Sequence, residues 1–354
     1  MVKPRFSVIC PAFNRSSAIR DTVASVRDQS EVDWELIVVS DGCTDDTEDH
    51  VRDLVAADPR VTLHRTGPHG HPSEPRNAGL AAARGEFVAY LDHDDRWRPD
   101  HLARLLEAFD DGANVVATGF ERRDLQDRTV ATTIPLTMHW HPETQLVAPL
   151  FEPSRVAHRA GLAERVGGWR EGVGLEDWDL WVRLADAGLR FTTLMAPTAL
   201  LFDDGSTRIN RTPRKHLLVL SSFDDVHQAR DASLALRAPE NADAFRAATQ
   251  EDLESWYARL IRSGELIRPH GWDGDLDAEI GAVSDAVSES ATWPDLVLVP
   301  QRGRYVLALA LWCGTAGHAR RVERLTRDVH TAQFSLAERL IAASARTVLT
   351  RKGF

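Results

Sequence analysis

Asp92, Asp94 and Asp95 stand at the end of the apolar run Phe87–Leu91, with His93 between the first two. A run of that length, preceded by Gly85 and closed by charge, reads as a buried parallel strand. Carboxylates so close together repel unless a cation sits among them. Hard divalent cations take oxygen ligands, and Mg²⁺ or Mn²⁺ on one or two carboxylates commonly grips substrate phosphates as well. The alternative is a solvated acidic loop capping the helix that starts at Pro99. In an extended segment, alternation puts Asp92 and Asp94 on one side and His93 on the other, leaving Asp95 as the cap.

Other apolar runs end in residues suited to a nucleotide. After Phe6–Cys10 come Pro11, Phe13 and Asn14, and the Phe13 ring is placed to lie against a base. After Leu36–Val39 comes Asp41, placed to accept a base N–H, with Gly42 permitting close backbone approach. Arg76-Asn77 opens an Ala-rich helix and offers donors to phosphate, ribose or base. Each also has an ordinary structural reading: Pro11 and Asn14 as turn formers, Asp41-Gly42 as a β-turn, Arg76 as a surface charge. Convergence on one sheet edge is what favours the nucleotide. On a helix beginning near Leu175, Asp177 shares its face with Leu180, Trp181 and Leu184. Burial there disfavours its charge and moves it toward the range of a general base, against the pull of the helix N-terminus. The competing reading is a carboxylate satisfying backbone N–H groups. Glu176, Asp179 and Arg183 fall off that face, and Asp179–Arg183 is an i,i+4 ion pair.

The elements that must position these residues alternate. Strands at Phe6, Leu36, Val61, Phe87 and Val115 are separated by helices whose buried faces are marked by Ile19, Thr22, Val23 and Val26 and by Leu102, Leu105, Leu106 and Phe109. Ser16 or Ser17 is the expected cap of the first helix. This argues for an α/β fold with a mostly parallel sheet and helices on both faces, which binds ligands outside the carboxyl ends of its strands. Thr118 to Ala157 takes no clear assignment. Helical spacing returns at Asp177–Ala187, and beyond about Asn210 the Ala/Leu/Arg texture predicts a mainly α-helical region. The expected domains are 1–212, catalytic, and 213–354, helical and accessory.

Composition narrows the classes. Of 354 residues 43% are hydrophobic and 27% charged, the balance of a soluble globular chain, and a net charge of −11 argues against nucleic acid. Only three lysines (Lys3, Lys215, Lys352) occur among the 42 basic residues, which says little about function. Cys10, Cys43 and Cys313 have no CxxC spacing, the start leaves no room for a signal peptide, and the longest apolar run, Tyr305–Cys313, is too short to span a bilayer. The expectation is a cytoplasmic protein. No Gly-rich turn follows the first strand, which excludes a nicotinamide dehydrogenase, and no Gly/Arg-rich loop there serves a nucleotidyltransferase.

Five segments together resemble glycosyltransferase family 2: Ser7–Asn14, Glu35–Asp45, Arg76–Gly79, Leu91–Asp95 and Glu176–Asp179, over roughly residues 5–205. The resemblance implies a GT-A fold, a nucleotide-sugar donor (most often UDP-linked), a divalent metal (Mn²⁺ or Mg²⁺) and inversion at the anomeric carbon. It implies that Phe13 packs on the base, Asp41 hydrogen-bonds it and Arg76 lies near base or ribose. Asp92 would serve ribose and metal, Asp94 would be the principal metal ligand, and Asp177 would be the base activating a hydroxyl of a sugar, glycoconjugate or small-molecule acceptor. Tyrosine is usual where Phe13 stands, aspartate where Ser40 stands and serine where Cys43 stands. The competing expectation is a catalytically silent nucleotide-sugar-binding or scaffold protein of the same fold.

Weaker signals remain. His69, His71, His139, His141 and His216 lack a third soft ligand at zinc spacing. Trp140, Trp169, Trp178 and Trp181 suit either a sugar-stacking wall or a core. The polar stretch Asp203–Arg211 suits either a linker or a loop closing on a diphosphate through Arg208 or Arg211. From Ser335, apolar and basic residues suggest a helix packed on its own domain or on a dimer mate, with weak peripheral membrane contact as the lesser reading.

Overall fold

A computed structural model describes residues 3–142, 144, 150–171, 176–202, 214–237, 251, 254–255, 257–289, 296–301, 303–313, 346, 349–350 and 353. The chain divides into two compact units. The first comprises residues 1–145, 149–209 and Ile267–Trp272, and the second holds the rest. Arg208, Arg211 and most of the segment from Ser335, including the oligomer and membrane expectations attached to it, lie outside the described residues.

The first unit is built on β1 (Phe6–Ala12), β2 (Trp34–Asp41), β3 (Val61–Thr66) and β4 (Phe87–Tyr90). β1 lies parallel to both β2 and β4, and β2 lies parallel to β3. Every residue of β1, β2 and β4 is buried, as continuous apolar runs predict for strands covered on both faces. Side chains alternate across the pleat and so supply two cores. Phe6, Val8, Cys10, Phe87 and Ala89 pack with Ile19, Val23 and Val26 of helix α1 (Ile19–Arg27) and with Leu102, Leu105 and Phe109 of helix α4 (His101–Asp110). On the other face Ile9, Val88 and Tyr90 pack with Leu80 of helix α3 (Ser73–Ala82) and with Leu180, Trp181 and Leu184 of helix α7 (Glu176–Asp186). The face predicted for α1 is the buried one, but its first-turn cap position is Ala18, with no side-chain bond. Ser16 N–H instead donates to Asp45, which also accepts from Thr47 N–H at the entry to helix α2 (Thr47–Ala57).

The unassigned middle stretch completes this sheet. β6 (Val115–Arg123) carries the short partner β7 (Thr129–Thr132), and β8 (Val156–Arg159) lies antiparallel between β4 and β6. β9 (Phe191–Phe202) runs parallel to β6 and pairs with β5 (Arg96–Trp97) at the edge. Helices α5 (Pro135–Met138) and α6 (Leu162–Arg165) are single turns. Ile267–Trp272 also belongs to this unit: Trp140 bridges Ile267, and His270 exchanges backbone bonds with Thr193 and Met195.

The second unit holds helices α8 (Val226–Arg237) and α9 (Leu276–Glu289) and a three-stranded antiparallel sheet that its Ala/Leu/Arg texture did not signal. β12 (Arg304–Cys313) is central there, between β10 (Arg214–Phe223) and β11 (Leu296–Gln301). The apolar run Tyr305–Cys313 is therefore a strand. Among the described residues no helix is long and apolar enough to cross a membrane.

Candidate active site

Parallel strands deliver their carboxyl ends to one edge, and the predicted nucleotide residues follow them. Ala12 is level with Ser40, and Ile9 with Tyr90. Phe13-Asn14, Asp41-Gly42 and Asp92–Asp94 therefore leave the sheet side by side. Phe13 is 46% exposed, the one aromatic among the exposed large apolar residues described, and is suited to covering a flat ligand.

Several predicted ligand residues are already engaged in shaping this edge. Pro11 is buried within β1, where its carbonyl oxygen meets the His93 ring. Asn14 adopts a left-handed backbone, φ 47°, and its amide clamps Thr44 through Thr44 N–H (2.8 Å) and the Thr44 hydroxyl (3.2 Å). Asp41 is buried, and its carboxylate accepts from His69 N–H (3.0 Å), Gly70 N–H (2.9 Å) and the Thr66 hydroxyl (3.2 Å). It thus anchors the loop after β3. Gly42 lets that loop close: its φ is +72°, and a Cβ there would lie 2.9 Å from Pro68 Cβ.

Arg76 is the hub of the site. Expected near base or ribose, or as a surface charge, it is 2% exposed. One guanidinium nitrogen donates to Asp92 at 2.7 Å and another to Glu176 at 2.8 Å, while the plane lies 4.4 Å from the centre of the Trp169 ring. Burial alone would weaken its charge, but Asp92 and Glu176 hold it firmly protonated. Asn77, its expected co-donor, is spent on the backbone of Trp169, which it grips in both directions at 2.8 Å.

The acidic turn departs from its extended-strand expectation. Asp95 N–H donates to the Asp92 carbonyl, so residues 92–95 form a turn and strict alternation fails. His93 stands on the same side as Asp94, with Nε2 3.9 Å from that carboxylate and Nδ1 against Pro11. Asp95 is no helix cap: it is buried, accepting from the Ser154 hydroxyl (2.6 Å) and Phe202 N–H (3.0 Å), and Asp100 takes the cap position of α4. Burial, then Asp94 and Asp92, push the Asp95 carboxyl well above its ordinary value. Ser154 reaches this turn because β8 is antiparallel, which brings its leading end to the carboxyl end of β4; its hydroxyl also accepts from Asp92 N–H.

Among the described residues no group of three or more His, Cys, Asp or Glu is arranged to hold a metal. The repulsion that suggested one is relieved in part by Arg76 on Asp92 and by Arg15, 3.2 Å from Asp94. Both carboxylates remain partly exposed, and each contact uses one oxygen of two. That donor set fits a hard cation completed by substrate phosphates and water, not a closed protein cage.

Asp177 lies in the first turn of α7. Burial, then the adjacent Glu176 carboxylate, push it up to about 8, against Trp178 N–H (2.7 Å) and the Arg76 charge. Leu180, Trp181 and Leu184, which share its helix face by spacing, are buried, while Asp177 itself is half-buried; Asp179 pairs with Arg183 at 2.8 Å. The sequence reading placed Glu176 off the apolar face of this helix and gave it no role of its own. It is 9% exposed, and only the tertiary approach of α3 reveals its role. Trp140, Trp169, Trp178 and Trp181 are each at most 2% exposed, so they form core and not a stacking wall. His139 meets the Trp272 ring edge-on.

Residues 7–165 match the model described as Glycosyl transferase family 2. TuaG of Bacillus subtilis (strain 168), named for teichuronic acid biosynthesis, is 41% identical over 105 residues, covering 30% of this chain and 42% of TuaG. The GalNAc(5)-diNAcBac-PP-undecaprenol beta-1,3-glucosyltransferase of Campylobacter jejuni is 35% identical over 114 residues, 31% of this chain and 36% of that protein. The chain spans less than half the length of these relatives. The structure of S. aureus TarS 1-349 in complex with UDP-GlcNAc aligns with 87% of this chain and 98% of its own at 14% identity, with a TM-score of 0.50. That likeness supports the GT-A-like fold.

Proposed function

We propose, from the match of residues 7–165 to the glycosyl transferase family 2 model, that the protein is an inverting glycosyltransferase. It moves a sugar from a nucleotide diphosphate, a UDP-sugar by extension from the TarS complex, to a hydroxyl acceptor. The observation that carries the reading is the ion-pair chain Asp92–Arg76–Glu176. One buried guanidinium joins the acidic turn at the strand ends to the helix that presents Asp177.

In this reading Phe13 covers the base and the Asp41-anchored loop frames it. Asp94, with Asp92, would hold Mn²⁺ or Mg²⁺, whose chemistry when bound is to neutralise charge on the departing diphosphate. Asp177 takes the proton from the acceptor hydroxyl as its oxygen forms the new bond to the anomeric carbon. The bond from that carbon to the phosphate oxygen breaks on the opposite side, and the nucleoside diphosphate leaves with the electron pair. A base raised to about 8 holds an abstracted proton better than an ordinary aspartate.

Replacing Asp177 by Asn should abolish transfer while leaving donor affinity within a few-fold, measured by product formation and calorimetry. Turnover at the parental rate would remove Asp177 from the base role. A parental chain that binds nucleotide sugars yet turns none over would instead establish the silent-scaffold alternative.

A further inference from the structure

His71 lies just before α3, in the loop that Asp41 holds through His69 and Gly70. Ser73 N–H donates to its Nδ1 at 3.2 Å, so the ring carries its proton on Nε2. That Nε2 is buried without a hydrogen-bond partner, and the side chain is 10% exposed. It stands 3.9 Å from Glu176 Oε2, beyond hydrogen-bond reach, while Glu176 Oε1 is occupied by Arg76.

A buried donor and a carboxylate oxygen thus face each other across a gap that neither closes. An oxygen about 2.8 Å from each completes a triangle on that edge. It must accept from Nε2–H and donate to Oε2 at once. A hydroxyl does both; an ether, ester or ionised phosphate oxygen cannot donate. Glu176 is tied through Arg76 to Asp92, and the His71 loop is tied to Asp41. Those anchors belong to the nucleotide side of the proposed site, while Glu176 adjoins the proposed base Asp177 on its helix, so a hydroxyl arriving between them belongs to the sugar that passes from nucleotide to acceptor.

We propose that His71 Nε2 and Glu176 Oε2 read one hydroxyl of the donor sugar, making His71 a specificity-determining residue. The proposal rests on the nucleotide-sugar reading above. The test titrates the full chain by calorimetry, in Mn²⁺, with UDP and with UDP-glucose, UDP-galactose and UDP-N-acetylglucosamine. At least one sugar should bind more tightly than UDP. His71→Phe should cut that preference about tenfold while moving UDP affinity less than twofold, and His71→Gln, which keeps an N–H donor, should recover part of it. A deoxy analogue lacking the recognised hydroxyl should lose the same factor against the parental chain and nothing further against His71→Phe. Equal losses for UDP and UDP-sugar would give His71 a merely structural role and overturn the proposal. So would an undiminished preference in His71→Phe, or a parental chain that favours no sugar over UDP. Failure of UDP itself to bind the parental chain would sink the nucleotide-sugar premise, a separate result.

Discussion

Converting Asp177 to Asn tests the electrostatics of the site apart from its chemistry. The carboxyl stands at about 8 in the folded chain against an ordinary 3.8, chiefly through burial and then Glu176. Between those values the folded chain keeps a proton that the unfolded chain has released. The stability this group contributes is therefore complete below the unfolded value and is lost as pH rises through the folded one. The slope inside the window approaches one proton per molecule, so the parental chain should lose about 2 kcal/mol between pH 6 and pH 8 on this account. Asparagine has the same shape, can still accept from Trp178 N–H, and carries no proton to lose. Urea denaturation of both chains at pH 6, 7 and 8, followed by tryptophan fluorescence, should give stability curves that diverge by that amount, with the variant the flatter. Parallel curves would show that Asp177 ionises as an ordinary carboxylate and would refute the reasoning. On the proposed mechanism the same group should make the rate of transfer climb with pH and level off above about 8, which a pH profile of kcat reads directly.

Other changes probe the parts that surround it. Arg76→Met strands the Glu176 carboxylate in the core and should cost about 3–5 kcal/mol, seen as a lowered denaturation midpoint; an unchanged midpoint would mean that Arg76 is not the hub. Asp94→Ala should remove the Mn²⁺-dependent part of UDP affinity in calorimetry, and equal affinities with and without Mn²⁺ in the parental chain would discard the metal assignment. A chain ending at residue 212 lacks Ile267–Trp272, which pairs with Trp140, Thr193 and Met195. It should be cleaved by protease at least tenfold faster within the first unit than the full chain, and equal rates would show that the segment is dispensable.

The sequence was most informative where the physics is local. The short apolar run Phe6–Cys10 and the i, i+3, i+4, i+7 spacing of Ile19–Val26 need no distant partner, so strands, helices and the shared edge for Phe13, Asp41 and Asp92 could be read from order alone. The helix that carries Asp177 belongs to the same class, because the burial of Leu180, Trp181 and Leu184 follows from spacing. Four-residue β8 was not legible, since a strand that short shows too little pattern to distinguish it from loop. Its antiparallel insertion beside β4, which carries Ser154 to Asp92 and Asp95, is a tertiary event.

The partner of a charge is likewise a tertiary matter. Nothing within a few residues of Arg76 says that its guanidinium spans Asp92 and Glu176, because those carboxylates lie 16 and 100 positions away. His93 was misplaced for a related reason: alternation assumes extended backbone, and one hydrogen bond from Asp95 N–H to the Asp92 carbonyl turns the segment. Sequence by itself determined which residue types reach the edge of the sheet, because strand and helix periods act through nearest neighbours. Only the tertiary structure decided which of them pair, which are spent holding loops, and that His71 and Glu176 face one another with a hydrogen bond unmade, because burial and charge compensation depend on chain segments that meet only in the fold.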